Sequence, residues 1–527
     1  MTGESSATPA RQIASGYATT GQALELGSVV VAGEVDPAAQ IRIPLSMMNR
    51  HGLVAGATGT GKTKTLQLIA EQLSAAGVPV VMADFKGDLS GLSRPGQPND
   101  KTAERATETG DDWVGTPYPV EFLSLGTGGI GVPVRATISA FGPILLSKVL
   151  GLNQNQESTL GLIFHFADQQ GLPLLDLKDL RQVITFLTTT DEGKKQLKTL
   201  GAVSPQTAGV ILRALVNLEA DGGDTFFGEP EIEAADLLRS DDQGRGIITL
   251  FELGDQAARP VMFSTFLMWV LADLFNHLPE VGDVDKPKLV FFFDEAHLLF
   301  KDASKAFLGQ VEQTVKLIRS KGVGVFFCTQ LPTDVPNAVL SQLGARVQHA
   351  LRAFTPDDQQ ALAKTVRTYP KTTFYDLAAD LTSLGTGEAI VTVLSEKGAP
   401  TPVAWTRLRP PRSLMDTIGQ DYIKAVAQAS PLFLKYGQTV DRESAYEMLA
   451  TKMAPPSVTP GADAMDLPPV PTGIEIPPMP EPVERAEPGM LEKMMDNPAF
   501  KSAMRSAGTV IGREISRSIF GTGRRRR

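Results

Sequence analysis

The sequence has few of the residues that cross-link small domains or bind transition metals. Among its 527 residues there is one cysteine, Cys328, and the histidines stand apart at positions 51, 165, 277, 297 and 349. A single thiol forms no disulfide within the chain, and dispersed Cys and His residues lack the close ligand spacing of a zinc site. These shortages exclude a disulfide framework and a Cys/His metal centre, so the fold must depend on a hydrophobic core.

Long apolar runs and an overall positive charge are also missing. No stretch approaches the roughly 18–20 apolar residues of a membrane-spanning helix, and residues 1–18 lack the apolar core of a secretory signal. We therefore expect a soluble, cytoplasmic protein with no transmembrane segment. The net charge is −9 and the isoelectric point is about 5.3. Any nucleic-acid contact would consequently need a local basic patch or channel.

The most specific pattern is a glycine-rich segment between a predicted strand, Gly52 to Ala55, and a predicted helix, Lys62 to Ala76. Its residues are Gly56, Ala57, Thr58, Gly59, Thr60, Gly61, Lys62 and Thr63. This is the complete Walker A pattern, in which backbone N–H groups and a helix N-terminus surround phosphates. Lys62 is expected to reach the β- and γ-phosphates, and the Thr63 hydroxyl to bind Mg²⁺. Residues 56–63 with Lys64 therefore predict a site for ATP and Mg²⁺, rather than a glycine turn without a ligand.

A second pattern is an apolar run that ends in two carboxylates. Leu289 to Phe293 is typical of a buried parallel strand, and Asp294 and Glu295 follow it. Asp294 is expected to hold the water shell of Mg²⁺, and Glu295 to polarise the attacking water as a general base. Alone, such a strand end could be a surface turn. The complete Walker A segment favours the catalytic interpretation.

Two further strand ends carry polar residues that the same edge of a parallel sheet could bring to the nucleotide. Gln330 follows the predicted strand Val323 to Cys328 and could sense the γ-phosphate or orient water, although an ordinary polar strand end explains it too. Asp84 closes the predicted strand Val78 to Asp84 and could position Mg²⁺ or water. A turn or a helix cap explains Asp84 equally well.

Together these motifs resemble the HerA/FtsK superfamily of hexameric DNA-translocating ATPases. The resemblance rests on residues 56–63, the segment Asp294 to His297, Gln330, and the pair Arg346 and Arg352. Residues 49–52 and 83–89 are more specifically similar to a bacterial HerA-like family of unknown function. The resemblance covers roughly residues 40–410, and its motifs are more specific for nucleotide binding than for DNA.

The resemblance implies a homo-oligomeric ring, a hexamer in that superfamily, with ATP between neighbouring subunits. It implies that Arg319 reaches the γ-phosphate of the next subunit, whereas a solvated arginine at a helix end is the alternative. Arg346 and Arg352 are implied as secondary phosphate contacts. Residues 1–45 are too short for the full N-terminal barrel with which archaeal HerA docks its nuclease, so the resemblance does not extend to a nuclease partner.

The predicted fold is α/β: a RecA-like P-loop NTPase with a central, mostly parallel sheet, a helical insertion, a short N-terminal β element and a flexible C-terminal tail. The predicted segments are the β element 1–45, the first core part 46–95, the helical insertion 96–240, the second core part 241–410, a helical segment 411–454, a Pro-rich linker 455–489 and a basic amphipathic helical tail 490–527. Within the β element, residues 33–37 are typical of a turn between two short strands. Residues 499–527 carry eight basic side chains and one acidic one, which indicates a contact surface.

The sequence supports two functions. The leading hypothesis is an ATP-hydrolysing oligomer that translocates on DNA or remodels it like a helicase. The alternative is a nucleotide-dependent switch or assembly ATPase that recruits protein partners through its tail without translocating. A P-loop kinase is disfavoured because the carboxylate beside Asp294 favours hydrolysis over transfer to a second substrate.

Overall fold

The computed structural model describes residues 8–84, 87–199, 204–252, 260–282 and 284–453. The strands are β1 Ala23–Val31, β2 Glu34–Pro44, β3 Gly52–Ala55, β4 Val80–Asp84, β5 Val120–Leu125, β6 Val132–Val134, β7 Ile248–Glu252, β8 Leu289–Phe293, β9 Val323–Thr329, β10 Ala345–Gln348, β11 Glu388–Thr392 and β12 Ala404–Leu408. The predicted linker 455–489 and basic tail 490–527 lie outside the described residues.

The helices occupy most of the connections between these strands. They are α1 Pro9–Ser15, α2 Lys62–Ala75, α3 Asp100–Thr109, α4 Ile138–Val149, α5 Gln154–Gln169, α6 Leu177–Thr189, α7 Asp191–Thr199, α8 Pro205–Ala220, α9 Pro260–His277, α10 His297–Phe300, α11 Lys305–Ile318, α12 Asn337–Leu340, α13 Pro356–Val366, α14 Leu377–Ser383, α15 Gln420–Ala429, α16 Pro431–Tyr436 and α17 Ala445–Met453. None of the helices in the described ranges combines the length and apolarity needed to cross a bilayer.

In the described part of the chain, all of the strands join one sheet in the order β2-β1-β12-β11-β10-β3-β9-β8-β4-β7-β5-β6. From β10 to β6 every neighbouring pair is parallel, and from β2 to β10 every pair is antiparallel. The predicted α/β fold with a central, mostly parallel sheet is confirmed. Because parallel strands share one direction, their carboxyl ends all reach the same edge of the sheet.

The apolar run that was predicted to be a buried strand is buried on both of its faces. In β8, Leu289, Phe291 and Phe293 join the hydrophobic cluster on one side of the sheet. Val290 and Phe292 join the cluster on the other side. Alternate side chains of a strand point to opposite faces, so an uninterrupted apolar sequence is required here. This burial anchors the strand that delivers Asp294 and Glu295.

The N-terminal β element is a hairpin whose turn is shorter than predicted. The sequence predicted a turn over residues 33–37, but β2 already begins at Glu34. Ala32 and Gly33 have φ values of 52° and 81°, as in a two-residue hairpin turn. Pro37 lies within β2, where it is tolerated because β2 is the edge strand of the sheet. The cluster of Gly33 and Pro37 therefore suggested a longer turn than the hairpin uses.

The segment between β4 and β7 is mainly helical, yet it also extends the sheet. Apolar residues at three- and four-residue spacing predicted helical segments over 145–152, 156–169 and 205–218. Helices α5 and α8 cover the second and third of these, whereas α4 overlaps only part of the first because it ends at Val149. Strands β5 and β6 were not predicted, and they form the far edge of the sheet beside β7. Strand β12 was also missed. All three are short, which leaves little periodic signal in the sequence.

A buried carboxyl group ends strand β7 at the carboxyl edge of the sheet. Glu252 is 2% exposed and pairs with Asp84 across β4 and β7. Its Oε1 atom is buried and has no hydrogen-bond partner among the described residues. Burial, followed by the charges of Asp84 and Asp88, raises the pKa of Glu252 to about 8. The group therefore holds its proton at neutral pH.

We expect Glu252→Gln to stabilise the protein in mildly alkaline solution. The unfolded chain loses the Glu252 proton near the ordinary value of 4.5, whereas the folded chain keeps it up to about 8. Between these values a rising pH lowers the free energy of unfolding. The substitution should raise the apparent thermal midpoint by roughly 2–6 °C at about pH 9, and by much less at about pH 5. An equal shift at both pH values, or the same pH dependence for the exposed control Glu34→Gln, would contradict the assignment.

Candidate functional site

The segment from Gly56 to Thr63 forms a curled loop that depends on its glycines. It connects β3 to α2, and Gly56, Gly59 and Gly61 have φ values of 152°, 81° and 111°. L-residues rarely adopt such backbone conformations. At Gly56 a Cβ atom would also lie 2.5 Å from the Cβ of His349. The loop therefore has the left-handed curl through which backbone N–H groups surround a phosphate.

Three backbone hydrogen bonds fix the loop to the strands on both of its sides. Gly56 N donates to Thr329 O at the end of β9 (3.2 Å), and Ala57 N donates to Ala350 O after β10 (2.8 Å). Gly387 N, just before β11, donates to Thr60 O (3.1 Å). The loop is consequently held by neighbouring strands on two sides.

Lys62 and Thr63 begin helix α2 beside the loop and are partly buried. The Lys62 ammonium donates to Gly56 O (2.7 Å) and to Ala57 O (3.1 Å), which places its charge at the mouth of the curl. The Lys64 ammonium instead donates to Asp88 O, in the segment after β4 (3.3 Å). Burial lowers the pKa of Lys64, and the nearby Asp88 carboxylate opposes that shift.

His349 supports the loop from behind and was not predicted as a site residue. It is fully buried, and its backbone N–H donates to Ala55 O at the end of β3 (2.7 Å). Its Nε2 lies 2.8 Å from the Thr65 hydroxyl in α2. Burial, and then the charge of Lys62, lowers the pKa of His349 to about 4, so the ring is neutral at physiological pH. Nothing in the local sequence signals this contact, because His349 and Thr65 are far apart in the chain.

The carboxylates Asp294 and Glu295 leave the sheet at the same edge as the loop. Strand β9 lies between β3 and β8, with Ala55 paired to Thr329 and Phe293 paired to Phe327. Two strand spacings of about 4.8 Å therefore separate the ends of β3 and β8. Burial first, and then Asp294, raises the pKa of the Cys328 thiol, whereas Lys62 lowers it. Asp294 and Lys62 thus act on the same atom, from opposite sides of β9.

The backbone at Glu295 is strained. Glu295 has a φ of 46°, a conformation that costs a non-glycine residue free energy and is frequent at functional sites. Its backbone N–H donates to Asp294 Oδ1 (2.9 Å), and its Oε2 lies 3.3 Å from His297 Nδ1. The chain therefore turns at Glu295, two residues after the end of β8.

Gln330 lies between the loop and the acids, because β9 is the strand between β3 and β8. Its side chain is exposed. Asp334 anchors the turn that carries it: Asp334 Oδ2 accepts hydrogen bonds from the Thr329 hydroxyl (2.7 Å) and from Leu331 N (3.0 Å). Asp334 was not predicted, and it is the residue that fixes where Gln330 leaves the sheet.

Asp84 ends β4, the strand beside β8, and is buried. Its Oδ1 accepts from Asp88 N (3.1 Å) and its Oδ2 accepts from Leu89 N (2.8 Å). Asp84 therefore caps the turn that follows β4. The sequence analysis gave this capping role as the alternative to a role in positioning Mg²⁺.

The three arginines singled out in the sequence lie at two different edges of the sheet. Arg319 precedes β9, and with Arg346 and Arg50 it lines a cavity of about 460 Å³. This cavity faces the amino ends of the strands, because Arg50 precedes β3 and Arg346 lies near the start of β10. Arg352 lies instead beside the loop, where its Nη2 donates to Thr58 O (3.4 Å). Arg346 and Arg352, considered together in the sequence, are therefore separated in the fold.

Comparison with known proteins gives relatives of low identity. The chain is 20% identical over 376 residues to the DNA double-strand break repair helicase HerA of Sulfolobus acidocaldarius, which covers 70% of this chain and 68% of that protein. Among solved structures, the bacterial conjugative coupling protein TrwBdeltaN70 has 17% identity and a TM-score of 0.48, over 76% of this chain and 91% of that chain. VirB4 of Thermoanaerobacter pseudethanolicus has 15% identity and a TM-score of 0.47, over 74% of this chain and 97% of VirB4.

A match to a protein family extends much further along the chain. The Helicase HerA-like C-terminal family matches residues 30–527. The matched range includes the glycine loop, both carboxylates after β8 and all three arginines. The resemblance that the sequence motifs indicated is confirmed, and the chain belongs to the Helicase HerA-like C-terminal family.

Proposed function

We propose that this protein hydrolyses ATP and that, as a homo-oligomer in the cytoplasm, it uses the energy to translocate on DNA or to remodel it. One observation carries the proposal: the curled loop 56–63 and the acids Asp294 and Glu295 meet at one sheet edge, with the single strand β9 between them. Membership of a HerA-like helicase family supports a motor acting on DNA. The relative from Sulfolobus acidocaldarius is named as a DNA repair helicase.

The residues at this edge fit the parts of a hydrolytic nucleotide site. Lys62 neutralises charge on the β- and γ-phosphates, while the loop N–H groups hold them in place. Thr63 and Asp294 offer the hydroxyl and carboxylate oxygens that Mg²⁺ prefers, so they are the residues that would hold it. When bound, Mg²⁺ supplies charge neutralisation between the phosphates.

Glu295 and Gln330 act on the attacking water. Glu295 accepts its proton as the general base, and the exposed amide of Gln330 orients it near the γ-phosphate. The strained backbone at Glu295 supports this role, because such conformations are frequent at functional sites.

Lys62→Ala and Glu295→Gln should separate binding from hydrolysis. Lys62→Ala removes the positive charge at the mouth of the loop, so ATP binding, measured with a fluorescent analogue, should be lost. Glu295→Gln keeps that charge but removes the base, so ATP should bind while turnover falls by about 10²–10⁴-fold. Lys305→Ala and Glu312→Gln, at exposed positions in α11, serve as matched controls. Normal turnover by Glu295→Gln protein would overturn the catalytic assignment.

Arg319 is proposed to act on the nucleotide of a neighbouring subunit. It lies before β9, whereas its own loop lies at the opposite end of that strand. The seven residues of β9 span roughly 23 Å at about 3.3 Å per residue, which is beyond the reach of an arginine side chain. A guanidinium added from the next subunit would stabilise the charge of the transition state.

We also propose secondary phosphate contacts for Arg346 and Arg352. Arg346 lines the same cavity as Arg319 and would act on the nucleotide of the neighbouring subunit. Arg352 lies beside Thr58 and would act on the nucleotide of its own subunit.

A mixing experiment tests whether Arg319 acts in trans. Arg319→Ala should lower kcat by about 10³-fold or more, whereas Arg213→Ala at an exposed site in α8 should leave it unchanged. Mixing inactive Arg319→Ala subunits with inactive Lys62→Ala subunits should restore part of the activity, because some interfaces then combine an intact loop with an intact arginine. If the mixed protein assembles but stays inactive, the trans assignment is wrong.

The proposal includes a hexameric assembly and DNA as the substrate. It also includes a C-terminal tail that binds a partner. The decisive measurement is ATP turnover with and without single- and double-stranded DNA over a range of salt concentrations, together with the particle mass. We expect a hexameric mass and a stimulation by DNA that weakens as salt rises, since phosphate contacts depend on counterion release. Unstimulated turnover by a monomer would contradict the motor.

The alternative is a switch or assembly ATPase that recruits partners through residues 490–527. Deleting these residues distinguishes the two functions. A deletion that removes DNA stimulation would assign the basic tail to the motor. A deletion that leaves basal turnover and the DNA response unchanged would favour the tail as a docking segment for proteins.

A further inference from the structure

The cavity at the amino edge of the sheet concentrates positive charge. Its volume is about 460 Å³, and four of its lining residues are cations: Arg50, Lys316, Arg319 and Arg346. Among the described residues that line it there is no aspartate or glutamate. Four like charges around one cavity repel each other, although the chain as a whole has a net charge of −9. A cavity with these walls favours an anion.

Hydrogen bonds build this cavity within one subunit. Ala345 N donates to His51 O (3.0 Å), which joins the segment before β3 to the start of β10. Arg346 Nη1 donates to Thr368 O (3.2 Å), so its guanidinium is held against another wall. The fold of a single subunit is therefore sufficient to form the cavity and to position a cation in it.

His51 adds a buried hydrogen-bond donor to the lining. It is 2% exposed and lines the cavity. Its Nδ1 accepts a hydrogen bond from Val325 N of β9 (3.0 Å), so the proton of the neutral ring is on Nε2. Nε2 is buried, and no acceptor in the described part of the chain meets hydrogen-bond geometry with it. A buried donor without an acceptor costs free energy, which a bound oxyanion would offset.

The ring of His51 is neutral at physiological pH. Burial lowers its pKa, a backbone contact with Val315 opposes this shift, and the charges of Arg319 and Arg50 lower the pKa further, to about 4. His51 is therefore an uncharged N–H donor among cations. It can bind an oxyanion without adding to the repulsion between the cationic side chains.

The backbone conformation of His51 is strained. Its φ of 62° and ψ of 169° lie in a region adopted almost only by glycine, and they cost any other residue free energy. Strain of this kind is concentrated at active sites and ligand clamps. The cluster of cations, the buried donor and the strained backbone thus coincide at one place in the fold.

We propose that this cavity binds a phosphate oxyanion within a single subunit, with the His51 Nε2–H group as a neutral donor and with Lys316 and Arg346 as charged ones. The oxygens of a phosphate accept several hydrogen bonds, and a guanidinium binds two of them at once. Two sources offer this chemistry: free inorganic phosphate, and the terminal phosphate of a nucleotide on a neighbouring subunit. Only the second source rests on the proposed function.

Calorimetry with inorganic phosphate tests the site without ATP turnover. The parent is the full-length Lys62→Ala protein, which lacks the ammonium group of the glycine loop. His51→Asn keeps an oxygen near the position of Nδ1 for Val325 N, suits a positive φ and removes the Nε2–H donor. We expect Kd for phosphate to rise about tenfold or more, and the control His165→Asn, at an exposed site in α5, to leave it unchanged. No measurable binding by the parent, or unchanged affinity in folded His51→Asn, overturns the proposal.

A surface variant decides the question if His51→Asn does not fold. Lys316 is exposed near the end of α11, so Lys316→Gln should leave the fold intact. We expect Kd for phosphate to rise about two- to fivefold, because exposed charges contribute little, and the effect should be larger at low salt. Lys305→Gln, at the other end of α11 and outside the cavity lining, is the matched control. Equal affinities in the two variants and the parent would refute the site.

Turnover by protein with an intact glycine loop distinguishes the two sources. If a neighbouring nucleotide supplies the phosphate, His51→Asn should lower kcat, and mixing with Lys62→Ala subunits should restore part of the activity. If the ligand is free phosphate, added phosphate should inhibit wild type, and His51→Asn should weaken that inhibition. A wild-type protein that binds phosphate but hydrolyses no ATP would refute the proposed function and leave the phosphate site intact.

Discussion

The backbone hydrogen bonds that hold the glycine loop are the constraint on which the rest of the site depends. Gly56 N donates to the end of β9, and Ala57 N donates to Ala350, two residues after the end of β10. Thr60 O accepts a hydrogen bond from the turn before β11. Bonds of this kind are satisfied only when these strands keep their present register. The N–H groups of the remaining loop residues can then face a ligand, because the loop cannot relax into either neighbouring strand. Lys62, which donates to Gly56 O and Ala57 O of the loop, takes its position from this arrangement.

The same parallel register divides the charged groups between two edges of the sheet. At the carboxyl edge are the loop, the acids and Arg352, and at the amino edge is the cavity with Arg319 and Arg346. Since the seven residues of β9 separate these edges, one subunit would, under the proposed function, carry halves of two different nucleotide sites. Under the proposed function, assembly into a ring would bring the amino edge of one subunit to the carboxyl edge of the next. Oligomerisation would then be a requirement of hydrolysis, and not only a means of enclosing DNA.

The parts of the structure that could be predicted from the sequence are those whose signal is local. The loop, α2 and β8 were predicted because glycine spacing and an uninterrupted apolar run each have one dominant structural explanation. The turn at 33–37 was predicted too long, because Gly33 and Pro37 are turn residues that an edge strand also tolerates. Asp334 was missed although its partners Thr329 and Leu331 lie within five residues of it in the sequence. His349 and Glu252 were missed for a different reason. The role of His349 and the protonation of Glu252 come from residues such as Thr65 and Asp84 that are brought to them only by folding.

The segment 96–240 shows why long-range contacts matter for the chemistry. Its sequence predicts a helical insertion into the sheet domain, and such an insertion would be expected to lie away from the nucleotide site. Its strands β5 and β6 nevertheless complete one edge of the sheet, and Arg105 of α3 binds the turn that touches Thr60. The distance in sequence between Arg105 and Gly387 is 282 residues, yet only two hydrogen bonds separate the guanidinium from the glycine loop. A part of the chain that carries no recognisable nucleotide motif is therefore connected by hydrogen bonds to the backbone of the glycine loop.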